Sequence, residues 1–525
     1  MANKKLQVWL PLIFSIVLIA GMYLGYSMSD SKGFFKVDKP KSLQQALGYI
    51  QRNYVDHVNL DSLQGDAIQE MMNHLDPHSV YFPPVELKEA NEELEGRFEG
   101  IGVEFNVFSD TVNVVYVIPG GPSDKALQIG DKIIRVDNYL IASKNLSTDS
   151  IKKYIRGKRG SGVTLELIRD NQKKSVTVTR GTVPVPSVDA AYMIDKTTGY
   201  LKLNKFTTTS YEEVMQALEE LQKQGLQNLI FDLRGNGGGF MDEAIDMADE
   251  FLDDDKLIVY TEGANNPKRE YRCKRPGLFE KGKLTVLIDE LSASASEVLT
   301  GALQDWDRAT IIGRRSFGKG LVQQMFDLDD GSALRLTIAR YYTPLGRSIQ
   351  RPYNKGKKIY YDEIVERISN GQALYADSNK ITNEQKFRTN KGKIVYGGGG
   401  IMPDIFVPID TSSYPPGIRD LLRNGGFNSF VYRYYLQHKK DIDAFRLPGD
   451  FNRQFNKEGD MWQQFINYAS GDSINVNTIS SKQKESLQEL LKASLARFRW
   501  RSNGFYQVLN NDDPAVLRAL EEMEK

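Results

Sequence analysis

Two apolar strands, each ending in a sharp turn that runs straight into a helix, set the limits on this fold. In one, Asn228–Leu233 leads through Asp232-Leu-Arg-Gly-Asn-Gly-Gly-Gly239 into a helical pattern over Met241–Phe251. In the other, Leu284–Ile288 leads through Ser292-Ala-Ser-Ala-Ser-Glu297 into a helix reaching about Asp307. Strands that are apolar without alternation are buried on both faces, and repeated strand–turn–helix units make the crossovers of a largely parallel sheet. The neighbouring segments fit that frame. Tyr200–Asn204 reads as a strand, and Tyr211–Gln224 as a helix with Val214, Leu218 and Leu221 on one side. Thr310–Ile312, Leu321–Leu328 and Ser332–Tyr341 add further strands. Residues 185–410 therefore read as an α/β core, with the polar, lysine-rich stretch 352–395 expected to be a surface excursion from it.

The remainder of the chain is patterned differently. Its 525 residues leave room for roughly three or four domains. Residues 41–96 are helical by spacing, through Leu43, Ala46, Leu47, Ile50 and Tyr54 and again through Ile68, Met71, Met72 and Leu75. Leu75-Asp-Pro-His-Ser79 stops that pattern, and a polar helix follows from about Pro84 to Leu94. Residues 97–184 break into short β-rich runs separated by glycine and asparagine turns, with a short helix expected inside Pro119–Asp131. Residues 415–525 are helical again, most clearly at Lys482–Phe498 and Pro514–Met523, and carry no chemical motif.

Lys4 and Lys5 precede an uncharged run, Val8 to Tyr26, close to the roughly 20 residues that cross a bilayer. Residues 1–30 are expected to be a signal anchor that exports everything after them; a cleaved signal peptide is the other reading. Lys+Arg and Asp+Glu balance at 68 each, which argues against a dedicated nucleic-acid binder. A single cysteine, Cys273, excludes an internal disulfide and a cysteine-built zinc site. Without a histidine nearby it reads as a bystander, and no metal or cofactor is expected.

Chemistry concentrates in the two turns and in Phe317-Gly-Lys-Gly320. A serine hydroxyl is a weak nucleophile without a neighbouring base. The chain has only four histidines, His57, His74, His78 and His438, none near the serines in sequence. A lysine desolvated in an apolar pocket loses its proton far more readily and can take that role. The glycine turn lacks the Gly-Lys-Ser/Thr ending of a phosphate loop; it suits an oxyanion hole better, since four glycines in five residues exceed what a tight turn needs. Any of Ser292, Ser294 and Ser296 could instead cap the helix that follows, and spacing does not choose among them. Ser294 and Asp305, eleven residues apart, are expected to share a helix face.

Phe98-Glu-Gly-Ile-Gly-Val103 and the downstream Pro119-Gly-Gly-Pro…Gly-Asp131 resemble a PDZ domain. That likeness implies that Gly100, Ile101, Gly102 and Val103 bind a terminal carboxylate while the peptide adds as a strand. Together with Leu75–Ser79, Asp232–Gly239, Ser292–Glu297, Gln304-Asp305, Phe317–Gly320, Gln323 and Gly400-Ile-Met-Pro-Asp404, the chain over residues 41–410 resembles the carboxy-terminal processing peptidases, or tail-specific proteases. The resemblance implies a crotonase/ClpP-like α/β core with an inserted PDZ domain. It implies Ser294 as nucleophile, Lys319 as base, Gln323 orienting the lysine, and the Gly239 and Ala295 amides as oxyanion donors. Protein substrates with accessible apolar C-termini are the implied partners, with a homo-oligomer or an adaptor as further ones. Lys319 must be uncharged to work, so its surroundings are expected to be apolar and poor in cations, with the Phe317 ring excluding water. A non-catalytic PDZ scaffold would be expected to lack Ser294, Lys319 or Gln323. A thioester hydrolase would explain neither the anchor nor the PDZ module.

Overall fold

The computed structural model describes residues 9, 11–12, 14–23, 42–369, 371, 374, 385–409, 414–471 and 474–525, and the chain divides into units Met1–Met71 and Met72–Lys525. In the first unit residues 14–23 are helical with exposed side chains, and helix Ser42–Asn53 buries none of its residues. The apolar run 8–26 lies partly outside the described residues. Among those described, no helix is long and apolar enough to cross a membrane.

The second unit is built around a six-stranded sheet in the order Val188–Met193, Thr198–Leu203, Asn228–Asp232, Lys283–Ile288, Thr310–Gly313, Ile405–Phe406. The first pair is antiparallel and the rest are parallel. Side chains alternate across it. Leu201, Phe231 and Val286 pack under helices Ser210–Lys223, Met241–Asp249 and Ala295–Asp305, while Tyr200, Ile230 and Leu287 face Val516 and Ala519 of helix Pro514–Glu524. Covering both faces is what lets every residue of Thr198–Leu203 be buried. A second sheet joins Val80–Phe82, Leu257–Gly263, Asn266–Arg272, Leu321–Asp327 and Ala333–Tyr342.

The β-rich segment forms a sheet of its own around strands Val103–Phe108, Thr111–Val117, Lys132–Val136, Gly162–Arg169 and Gln172–Thr179, with helix Thr148–Ile155 burying Ile151 and Ile155 against it. Its entry strand Arg97–Gly100 pairs with its exit strand Gly181–Pro184, which makes a stem. Inside Pro119–Asp131 the expected helix is a single turn, closed by Leu127 N–H to the Ser123 carbonyl at 2.9 Å. Gly120 and Gly130, both at positive φ, bound it, and Asp124 and Asp131 take up the amides of Gly120 and Gln128.

Part of the stretch expected as a surface excursion is interior. Helix Lys357–Ser369 buries Tyr360 and Arg367, the first hydrogen-bonding His78 Nε2 at 2.9 Å and the second donating to the Ser316 carbonyl at 2.8 Å. Arginine buries its aliphatic stem readily when its head finds carbonyls, so polar composition did not mean exposure. Residues 370, 372–373 and 375–384 of that stretch lie outside the described residues.

Candidate active site

Strands Asn228–Asp232 and Lys283–Ile288 are parallel neighbours, so the turns that follow them emerge side by side. Two of the three serines stitch those turns together. Ser292 Oγ donates to the Leu233 carbonyl at 2.8 Å and Ser296 Oγ to the Asn236 carbonyl at 2.9 Å, both fully buried. Ser294 sits between them at φ 57, ψ −114, a sparsely populated conformation that costs a non-glycine residue about 1–3 kcal/mol. It lines a cavity of about 530 Å³ with Gly238, Gly239, Ala295, Lys319 and Gln323. The glycines are required by closeness. A Cβ on Gly238 would lie 2.7 Å from the Ala293 carbonyl oxygen and 2.8 Å from Ser294 Cβ; one on Gly239 would lie 2.0 Å from the Phe206 carbonyl oxygen.

The lysine loop is bound to the serine turn by a buried carboxylate. Glu297 Oε2 accepts the amides of Ser294 at 2.8 Å and Lys319 at 2.9 Å, while Oε1 accepts Gly318 N–H at 2.7 Å and Ser316 Oγ at 2.5 Å. Tyr341 Oη reaches the carbonyls of both Ser294, at 3.0 Å, and Lys319, at 2.6 Å. Lys319 Nζ donates to Gln323 Oε1 at 2.8 Å, and Gln323 Nε2 donates to the His78 carbonyl at 2.6 Å. Leu75–Ser79 thus has a use: it carries the carbonyl that orients the glutamine. Asp76 fixes that turn by accepting from the His78 and Ser79 amides and from Ser79 Oγ.

Burial, and then the like charge of Arg335, lower the pKa of Lys319 to about 8, against opposing pulls from Glu297 and Asp76. The expectation of cation-poor surroundings is corrected here: a neighbouring cation helps to discharge a lysine, and it is anions that would hinder it. Burial and then Lys319 drive His78 down to about 3, which keeps its ring neutral. Burial pushes Glu297 up while its four hydrogen-bond donors pull it back. Phe317 does not line the cavity; its ring packs on His78, Tyr360 and the Arg351 guanidinium. Asp305 does not share the site with Ser294 either. The helix begins after Ser294, and Asp305 pairs with buried Arg347 at its far end. Cys273 is buried, and burial followed by Asp249 raises it to about 12.

A second cavity, of about 440 Å³, lies beside the Gly100–Val103 loop. Its other walls are strand Val103–Phe108, which is an edge of its sheet, helix Thr148–Ile155 and side chains from the C-terminal helices. Ile101 and Gly102 are buried, and their N–H groups donate to no acceptor among the described residues. Buried amides are rarely left unpaired.

Glu297, Tyr341, Arg335 and the His78 carbonyl had no role assigned from the sequence. Glu297 carried a signal: a glutamate three residues after a serine at a helix start is capping-box spacing. His78 lies in the Leu75–Ser79 motif that the resemblance had picked out, without a role; Arg335 and Tyr341 come from the distant strand Ala333–Tyr342 and had no signal.

The model of peptidase family S41 matches residues 197–358, that of the PDZ domain residues 100–179, and that of a family of unknown function (DUF8443) residues 418–501. A probable CtpA-like serine protease of Staphylococcus epidermidis is 34% identical over 329 residues, covering 62% of this chain and 65% of its own length. The match therefore spans just under two thirds of that relative. One from Staphylococcus saprophyticus is 31% identical over 454 residues, covering 85% of this chain and 86% of its own length. Among solved structures, the photosystem II D1 C-terminal processing protease is 26% identical, covering 72% of this chain and 90% of that one, with a TM-score of 0.36. The chain belongs to the S41 family of peptidases and carries a PDZ domain.

Proposed function

We propose that this chain is an exported serine endopeptidase that cleaves proteins recognised through their C-terminus. The observation carrying the reading is a lysine with its pKa lowered to about 8 sharing one cavity with a strained serine beneath the glycine turn. Neutral Lys319 takes the Ser294 Oγ proton as the oxygen attacks a peptide carbonyl. The acyl-enzyme forms, and the same proton goes to the leaving amine; Lys319 then draws a proton from the hydrolytic water. Gln323 holds Nζ by accepting from it. The amides of Gly239 and Ala295, which line the cavity, stabilise the charge on the attacked oxygen. The unpaired amides of Ile101 and Gly102 receive the substrate's terminal carboxylate. Residues 8–26 hold the chain at the membrane with its catalytic part outside the cytoplasm; support for this is the uncharged run behind two lysines.

The test uses a serine-reactive fluorophosphonate probe and an unfolded protein ending in apolar residues. Wild type should be labelled and should cleave; Ser294→Ala should do neither, and Lys319→Arg should not cleave, because arginine stays protonated. Labelling that survives Ser294→Ala would reassign the nucleophile. Equal cleavage of a substrate with an amidated end would remove carboxylate capture.

A further inference from the structure

The C-terminal helices do more than extend the chain. Tyr432, in helix Gly426–Asp443, packs its ring on Phe108 and reaches the Val114 carbonyl, both in the PDZ sheet. Helix Ser481–Leu509 is broken at Arg501, which takes φ 56, ψ −149, a region nearly reserved for glycine. That backbone persists because the side chain is doubly held. Both terminal nitrogens of Arg501 donate to the Glu104 carboxylate, and the guanidinium lies 3.6 Å from the centre of the Tyr116 ring. The break therefore brings the segment around it against the edge strand that a peptide would extend. Val431, Phe498 and Phe505 contribute apolar side chains to the lining of the 440 Å³ cavity that the Gly100–Val103 loop also lines.

Charge points to the occupant. The cavity is lined by Lys152, Arg156, Arg497 and Arg501 against one acid, Glu104, and Arg501 already neutralises that acid. Lys152 and Arg156 have their own carboxylates, Asp149 and Glu92. Arg497 forms no ion pair among the described residues. An apolar wall, two unpaired amides and an uncompensated cation suit the end of a polypeptide with an apolar last residue and an acidic residue shortly before it.

The geometry points to a composite peptide site: Val431, Arg497, Phe498, Arg501 and Phe505 of the C-terminal helices complete the PDZ groove, with Phe505 contacting the ligand's apolar end and Arg497 selecting an acidic side chain upstream of it. This rests on the carboxylate-capture reading above and adds where specificity comes from. The experiment measures fluorescence anisotropy with full-length Ser294→Ala protein. The probes are fluorescein-labelled decapeptides ending Glu-Ala-Leu-Ala or Lys-Ala-Leu-Ala, each as free acid and as amide. Free acids should bind, amides should not, and the Glu peptide should bind more tightly. Arg497→Glu should weaken the Glu peptide about threefold and strengthen the Lys peptide, the size of an exposed ion pair. Phe505→Ala should weaken both about tenfold. Acid-selective binding that neither substitution alters would overturn the composite site alone. Equal binding of acid and amide would overturn carboxylate capture and the composite site together.

Discussion

The charge state of Lys319 makes the sharpest quantitative demand on the proposed mechanism. With a pKa of about 8 it is uncharged in about one molecule in eleven at pH 7, in half at pH 8 and in about ten of eleven at pH 9. In the proposed mechanism only that fraction accepts the Ser294 proton. The kcat/KM for a quenched fluorescent peptide with a free C-terminus should therefore rise about fivefold from pH 7 to 8 and less than twofold from 8 to 10. His78, held near 3, adds no step in that range. Arg335→Met removes a like charge beside Lys319, so the lysine keeps its proton to higher pH and the midpoint moves up. The rate at pH 7 then falls while the alkaline plateau stays near wild type. The same shift sets stability. An unfolded lysine titrates near 10.5, so between about 8 and 10.5 the unfolded chain holds more protons than the folded one, and stability climbs with pH across that window. Below pH 8 the full penalty applies, about 3 kcal/mol. A profile flat from pH 6.5 to 9 would refute lysine as the base; a midpoint that Arg335→Met leaves in place would refute the contribution of Arg335 and leave burial as the cause.

The linkage carries over to Lys319→Met, which should be inactive yet more stable than wild type to urea at pH 7, with the advantage shrinking toward pH 10. Glu297→Gln with its NH2 in place of Oε2 faces the two N–H groups that this oxygen accepts; the lost bonds and facing donors should lower unfolding stability by about 2–6 kcal/mol and abolish activity, read by urea melts and peptide cleavage. Gly238→Ala, at φ +95 and with its methyl carbon under 3 Å from the Ser294 turn, should cut kcat by about a hundredfold through displacement of the nucleophile. Normal turnover by that variant would show that the two turns need not touch.

Much of the fold was legible locally. The unbroken apolar strands, the helices behind them and the glycine loop of the PDZ domain are patterns that adjacent residues carry, because burial on both faces and tight backbone turns demand particular side chains at short spacing. The motifs also named Ser294 and Lys319 as candidates, through family resemblance. Composition misled at 352–395, where Tyr360 and Arg367 are interior because their polar heads find partners on the Leu75–Ser79 turn and on Ser316. The expectation of cation-poor surroundings for Lys319 failed for a different reason, the sign of the electrostatics: a nearby cation such as Arg335 lowers a lysine's pKa.

Sequence alone determined which strands and helices form, since periodicity and turn chemistry act over a few residues. The resemblance had pointed to Ser294, but only the tertiary structure supplies a physical difference from Ser292 and Ser296, whose hydroxyls donate to carbonyls about sixty residues away. Only it set Glu297 between two loops, aimed Gln323 through a carbonyl at residue 78, and folded Arg501 onto Glu104 across nearly four hundred residues. Such contacts leave no periodic trace, because their partners meet only when the chain has closed.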